Sequence, residues 1–300
     1  MSRIRVANAP CSWGVLEFDL EGVASGGERV LSEMAATGFV GTELGDWGFL
    51  PTDPPALKTM LDRHGLGMVG AFVPVALRDP TTHEAGAEAA VKVARLLAAV
   101  AETPFIVLAD DNGKVPERTA NAGRIVPAQG LTDAEWTVFG AGANRVAAAV
   151  RKETGLRTVF HHHCAGFVET PAEVATFLDR TDPDLVGLCL DMGHYAFGGG
   201  DPLEALVRHG DRIRHIHFKD CDPTVAAQSR AEGWDYFTSV GKGVFCELGK
   251  GRVDFPAILK TLQQRGFDGW IVVEQDVLPG MGTPLESARR NREYLARIGL

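Results

Sequence analysis

The sequence predicts one α/β domain over residues 1–300, a (β/α)8 barrel. Eight short apolar runs recur along the chain, stretches of helical period separate them, and no shift in composition divides one part from another. The runs cover residues 5–13, 38–45, 65–77, 104–111, 155–163, 186–194, 213–220 and 269–276. Each is continuously apolar, as strands covered on both faces are. Helical patterns occupy 28–37, 55–64, 84–101, 133–153, 171–179, 202–209, 255–265 and 286–298, and Gly38, Gly65, Gly155 and Gly266 stand where four of them should end. The Ala-, Val- and Leu-rich stretch 84–101 reads as packing surface. Two connections are long, 111–131 after the fourth run and 221–252 after the seventh, and both leave the strand ends where barrel active sites form.

Composition narrows the function classes. With 45% hydrophobic residues the chain can fill a large core, and a formal net charge of −9 without a basic patch argues against nucleic acid as partner. No run approaches the roughly 18 apolar residues of a membrane span, and the N-terminal stretch lacks the apolar segment of a signal peptide. Cys11, Cys164, Cys189, Cys221 and Cys246 are odd in number and show no Cys-x-x-Cys spacing, which speaks against a disulfide framework or a zinc knot. A cytoplasmic protein is expected, and association into a homo-oligomer stays open.

The chemistry gathers at strand ends. The second run ends near Glu43, the fifth in His161-His162-His163, and the sixth in Asp191-Met192-Gly193-His194. The seventh carries His215-Ile216-His217-Phe218-Lys219-Asp220, and the eighth ends in Glu274-Gln275-Asp276. Any one of these alone is more often a helix cap or a satisfied structural group. Together they bring carboxylates and imidazoles from consecutive strands to one mouth, a burial of charge that a divalent cation would compensate. Alternation along a strand puts His215 and His217 on one face, and His161 and His163 on one face. His217 is expected as the ligand, with His215 deeper. Trp13 and Trp47 are candidates for stacking on a ring, with core or lid packing as the competing reading. Gly249-Lys250-Gly251 lacks the phosphate-loop frame and reads as a turn.

These segments resemble the xylose-isomerase-like sugar isomerase/epimerase superfamily, and within it the inosose dehydratases of inositol catabolism. The pieces that carry the resemblance are Gly38-Phe39-Val40-Gly41-Thr42-Glu43, the triple His, Leu190-Asp191-Met192-Gly193-His194, His215-Ile216-His217-Phe218-Lys219-Asp220, residues 249–255 and Val273-Glu274-Gln275-Asp276. The resemblance implies a TIM barrel with a metal held by Asp191, His217 and Glu274. The family's carboxylate after the fifth strand is missing. Related chains with His-Asn-His there carry a Glu where this one has Gly166, so His163, Glu169 or water is left as the fourth ligand.

The implied reaction is loss of water from a sugar-like or cyclitol ketone, with the metal as Lewis acid at the ketone. Mn²⁺ or Co²⁺ suits two carboxylates with imidazoles, and Mg²⁺ and Zn²⁺ are alternatives. If His163 is not a ligand it is the first choice of base, then Glu43. Lys219, His194 and His161 would hold substrate hydroxyls or assist the departing hydroxide, and Glu274 would serve both metal and catalysis. Two rival expectations remain: an isomerase or epimerase on the same barrel, and a metal-free barrel that only binds carbohydrate. A DNA-repair endonuclease of the superfamily would need a basic groove, which an acidic chain does not offer.

Overall fold

A computed structural model describes residues 4–14 and 26–300. Residues 1–3, part of the N-terminal stretch weighed above as a targeting signal, lie outside it. The described strands are β1 (Ile4–Asn8), β2 (Gly41–Glu43), β3 (Gly67–Pro74), β4 (Phe105–Ala109), β5 (Arg157–His161), β6 (Val186–Asp191), β7 (Ile213–Phe218) and β8 (Gly269–Val273). They close into a parallel barrel in the order β1-β8-β7-β6-β5-β4-β3-β2. An outer helix follows each: α1 (Gly27–Ala36), α2 (Pro54–His64), α3 (His83–Val100), α4 (Asp133–Thr154), α5 (Pro171–Arg180), α6 (Pro202–His209), α7 (Phe255–Gln264) and α8 (Pro284–Ile298).

Local chemistry sets the boundaries. Asp53, Thr132, Thr170, Asp201, Asp254 and Thr283 cap six of these helices by accepting a backbone N–H of the first turn. Gly65 and Gly155 close α2 and α4 in the left-handed region, at φ 66° and 76°. As expected, α3 turns Ala87, Ala90, Ala94 and Leu97 inward as packing surface.

Each strand is shorter than its apolar run, and three of them show why. β1 stops at Asn8 because Pro10 starts a 3-10 turn, Pro10–Trp13. Gly38 and Phe39 complete the end of α1 before β2 begins. β6 stops at Asp191, whose side chain caps a short helix, Met192–Phe197.

The two long connections are folded. The first holds a short helix, Pro116–Ala120, and the 3-10 turn Pro127–Gln129. The second holds helices Pro223–Glu232 and Tyr236–Gly241, and a two-residue ladder pairs Asp220–Cys221 with Phe245–Cys246. The buried Asp220 carboxylate accepts the amides of Cys221, Gly249, Gly251 and Val253, clasping both ends of this excursion. A Cβ at Gly251 would fall on that carboxylate, so the Gly249-Lys250-Gly251 turn is built for a close approach.

The connections after β4 and β5 are tied by a buried ion pair. The Arg118 guanidinium lies 2.8 and 2.9 Å from the two Glu173 oxygens and donates to Gly166 O at 2.7 Å. Removing one partner of such a pair leaves the other buried charge short of its partner. Arg118→Met is expected to cost about 3–5 kcal/mol in urea unfolding. Arg78→Ala, which breaks an exposed pair with Glu135, should cost about 1 kcal/mol or less.

Candidate active site

Register explains why the mouth is polar. Asp191 pairs with His217 across β6 and β7, and His217 pairs with Val272 on β8. Glu274, one step beyond β8, donates its N–H to Phe218 O at 3.1 Å. Side chains two apart on a strand share a face. His161, Asp191, His217 and Glu274 therefore cap inward columns whose lower members include Val159, Cys189, His215 and Val272.

One donor atom from each of His161, Asp191, His217 and Glu274 lies within 4.8 Å of the others. Nδ1 of His217 is 3.1 Å from Glu274 Oε1 and 3.9 Å from Asp191 Oδ2, and His161 Nε2 is 3.8 Å from Asp191 Oδ2. Neither Asp191 Oδ2 nor His217 Nδ1 has a hydrogen-bond partner, although both are buried. Orphaned polar atoms at this spacing fit a divalent cation bonded at roughly 2.0–2.2 Å to each. The other Asp191 oxygen accepts His194 N at 2.7 Å. This carboxylate is both a helix cap and a donor toward the site.

Glu43 lies beneath this group and was expected as a second-choice base. Its Oε1 is 2.8 Å from His215 Nε2 and 3.0 Å from His217 Nε2. Burial raises its carboxyl, but the His217 charge and the two imidazole hydrogen bonds outweigh that and leave it at about 2. A carboxylate so engaged is a poor base. With its Nε2–H given to Glu43, His217 turns Nδ1 to the mouth; burial pushes the ring's pKa down, but Cys189, Glu274 and Glu43 prevail and keep it protonated, so a cation there would take the place of the Nδ1 proton.

The structure exchanges two histidines relative to the sequence reading. His161, expected against substrate, joins the four-donor group, and His163 is in none of the donor groups among the described residues. β5 ends at His161 and the chain then turns, with Gly166 N bonding back to His163 O. His163 Nδ1 faces Cys164 O, so the proton sits on Nδ1 and Nε2 keeps its lone pair, 3.4 Å from Tyr236 Oη. The ring centroids of His163 and His194 lie 3.8 Å apart with the planes tilted by 38°, and His194 Nε2 is buried without a hydrogen-bond partner.

The other fourth-ligand candidate is also committed elsewhere. Glu169 accepts Gly123 N at 2.7 Å and Ala165 N at 2.9 Å. At Gly166 a Cβ would collide with the Asn112 carboxamide, so a side chain there requires Asn112 to move.

Lys219, expected to hold a substrate hydroxyl or assist the departing hydroxide, is buried beside two carboxylates. Its Nζ lies 3.2 Å from Asp276 and 3.4 Å from Glu274, above the Phe245 ring at 4.9 Å. Burial pushes its pKa down, but Asp276, Glu274 and Asp191 prevail and hold it as an ammonium. Trp13 corrects the reading as a stacking platform. It is fully buried, and its indole N–H donates to Glu33 at 2.7 Å. Trp47 is 42% exposed and carries Lys92 over its ring. Tyr236 and Phe245 were missed by name, and their only sequence signal was membership of the long 221–252 connection.

Residues 31–298 match the model of the xylose isomerase-like TIM barrel family. The chain belongs to that family. Among its relatives, an inosose dehydratase of Geobacillus kaustophilus (strain HTA426) is 33% identical over 296 residues, covering 98% of this chain and 94% of its own. The rhizopine catabolism protein MocC of Rhizobium meliloti is 34% identical over 304 residues, covering 98% of this chain and 88% of its own. In fold, the chain resembles the IOLI protein, solved with a bound zinc atom, with a TM-score of 0.71 at 16% identity over 98% of this chain and 97% of that one. No described helix of this xylose isomerase-like barrel is long and apolar enough to cross a membrane.

Burial sets the acid sensitivity of the metal-free protein. It pushes His161, His162 and His163 each down to about 3, whereas in an unfolded chain they titrate near 6.5. The stability that follows is complete above about pH 6.5 and is lost as pH falls toward about 3. Burial pushes Glu169 up to about 7 and Asp110 up to about 6, and these weaken the fold as pH rises through their shifted ranges. His194 and His215 are also pushed down by burial and act with these imidazoles, whereas Asp191, Asp220 and Asp276 are pushed up by burial and act with the carboxyls. The share of one imidazole is isolated by a variant: His162→Gln, which keeps an acceptor for Asp191 N, should raise the urea midpoint of metal-free protein at pH 4.5 relative to its midpoint at pH 7, compared with wild type.

Proposed function

We propose that the chain is a metal-dependent hydro-lyase that removes water from an inosose or a similar polyhydroxy ketone. The observation that carries this reading is one neutral imidazole acceptor, His163 Nε2, near a four-donor cation site that lacks a second carboxylate base. Full-length relatives named inosose dehydratase support the same class.

His161, Asp191, His217 and Glu274 would hold the cation. Bound there, it supplies Lewis acidity at the ketone oxygen. Mn²⁺ or Co²⁺ suits two carboxylates and two imidazoles, with Zn²⁺ and Mg²⁺ as weaker fits. Glu43 orients His217 through its Nε2–H. His163, its Nδ1–H given to Cys164 O, receives at Nε2 the proton from the carbinol carbon beside the ketone. The hydroxyl on the next carbon leaves with a proton from the Lys219 ammonium as water, and the resulting enol tautomerises to a 1,2-diketone. Proton exchange with solvent then resets His163 and Lys219. His194 Nε2, buried and unpartnered, is placed to bond a substrate hydroxyl. The reading places the enzyme in the cytoplasm, where an odd set of five cysteines without Cys-x-x-Cys spacing suits a reducing compartment.

An epimerase is the second reading, and it needs bases on both faces of the ring. Asn112 stands in the space a second one at position 166 would need, which favours elimination.

Purified protein given Mn²⁺ and an inosose is expected to release one water per turnover and to build up a diketone chromophore. Epimerised inosose without diketone would favour the second reading, and no turnover with no bound metal would favour a carbohydrate-binding barrel. His163→Gln should lower kcat on the order of 10²- to 10⁴-fold while metal content stays at wild-type level. Glu43→Gln should instead weaken metal affinity by roughly 10- to 100-fold, measured by competition with a chelating dye.

A further inference from the structure

The barrel interior carries a further donor set, one member of which, Cys189, the dehydration mechanism does not use. His161, Cys189 and His217 also place one donor atom each within 4.8 Å of one another, and all three residues are buried. Cys189 precedes Asp191 by two positions on β6, so it shares the inward face of that carboxylate and lies roughly 6–7 Å deeper. It pairs in register with His161 on β5 and His215 on β7. The two sets share both imidazoles. The upper one adds two carboxylates, and the lower one adds a sulfur.

We propose that Cys189, with His161 and His217, forms a second seat in the barrel that takes a soft divalent cation such as Zn²⁺ or Cd²⁺ as a thiolate complex. The proposal rests on the reading of the mouth as a cation site. Two imidazoles and a thiolate are a donor set that zinc favours, with bonds of roughly 2.0–2.3 Å. Manganese and magnesium prefer oxygen donors and gain little from sulfur. A hard cation therefore remains with Asp191 and Glu274, and Cys189 stays a thiol. A soft cation displaces the thiol proton, which passes to the buffer, and an S–metal bond replaces the S–H bond. Two classes of metal thus occupy one barrel through different donors.

Metal-free protein titrated with Cd²⁺ should develop sulfur-to-metal charge-transfer absorption that Cys189→Ala abolishes. The same variant should lose Zn²⁺ affinity by at least the roughly 10- to 100-fold typical of removing an outer partner, and should keep its Mn²⁺ affinity. Retained Mn²⁺ binding also reports that the variant is folded, and Cys189→Ser provides a second replacement of nearly the same size. Charge-transfer absorption that survives in both variants, or Zn²⁺ affinity equal to wild type, overturns the sulfur seat and leaves the upper site standing. Wild-type protein that binds neither Mn²⁺ nor Zn²⁺ overturns both.

Discussion

Two imidazole N–H groups converge on a single carboxylate oxygen inside the barrel, and the order of the mouth follows from that. Glu43 Oε1 meets Nε2 of both His215 and His217. An imidazole that donates from one nitrogen directs the other to the opposite side of its ring, so His217 turns Nδ1 toward Asp191 and Glu274. β2 thereby controls the orientation of a side chain on β7, although those strands are not neighbours in the sheet. The upper carboxylates, the deeper Cys189 and the imidazole of His161 are all grouped around this one ring.

The barrel was legible because a buried parallel strand leaves a short apolar run and a helix end leaves a glycine. The chemistry at the mouth was legible because Asp191, His217 and Glu274 each interrupt such a run at its C-terminal end. The exchange of His161 and His163 was not. Alternation places both on one face, but the strand ends at His161, and the point where a strand gives way to a turn is fixed by hydrogen bonds that have no local signature. Trp13 misled for a related reason. An aromatic after the first strand can face the mouth or the outer layer, and the partner that decided it, Glu33, sits twenty residues away on α1.

The absent carboxylate beyond β5 has a packing explanation. Asn112 fills the space a side chain at 166 would need, and Arg118 grips the Gly166 carbonyl from the other side. Glu169 is spent on two backbone amides. Ala165, which supplies one of them, adopts φ 67°, a conformation L-residues seldom occupy. The turn beyond β5 is thus a packed junction between two connections.

The Asp220 clasp has a consequence for how this protein can diverge. Four amides from both ends of the excursion after β7 close on one carboxylate, so both ends of the segment are fixed to the barrel. Between them Tyr236 reaches His163 and Phe245 packs against His194 and Lys219, so exchanges there would reshape one wall of the mouth while its anchor points stay put. That wall is a loop whose two feet share a single bolt.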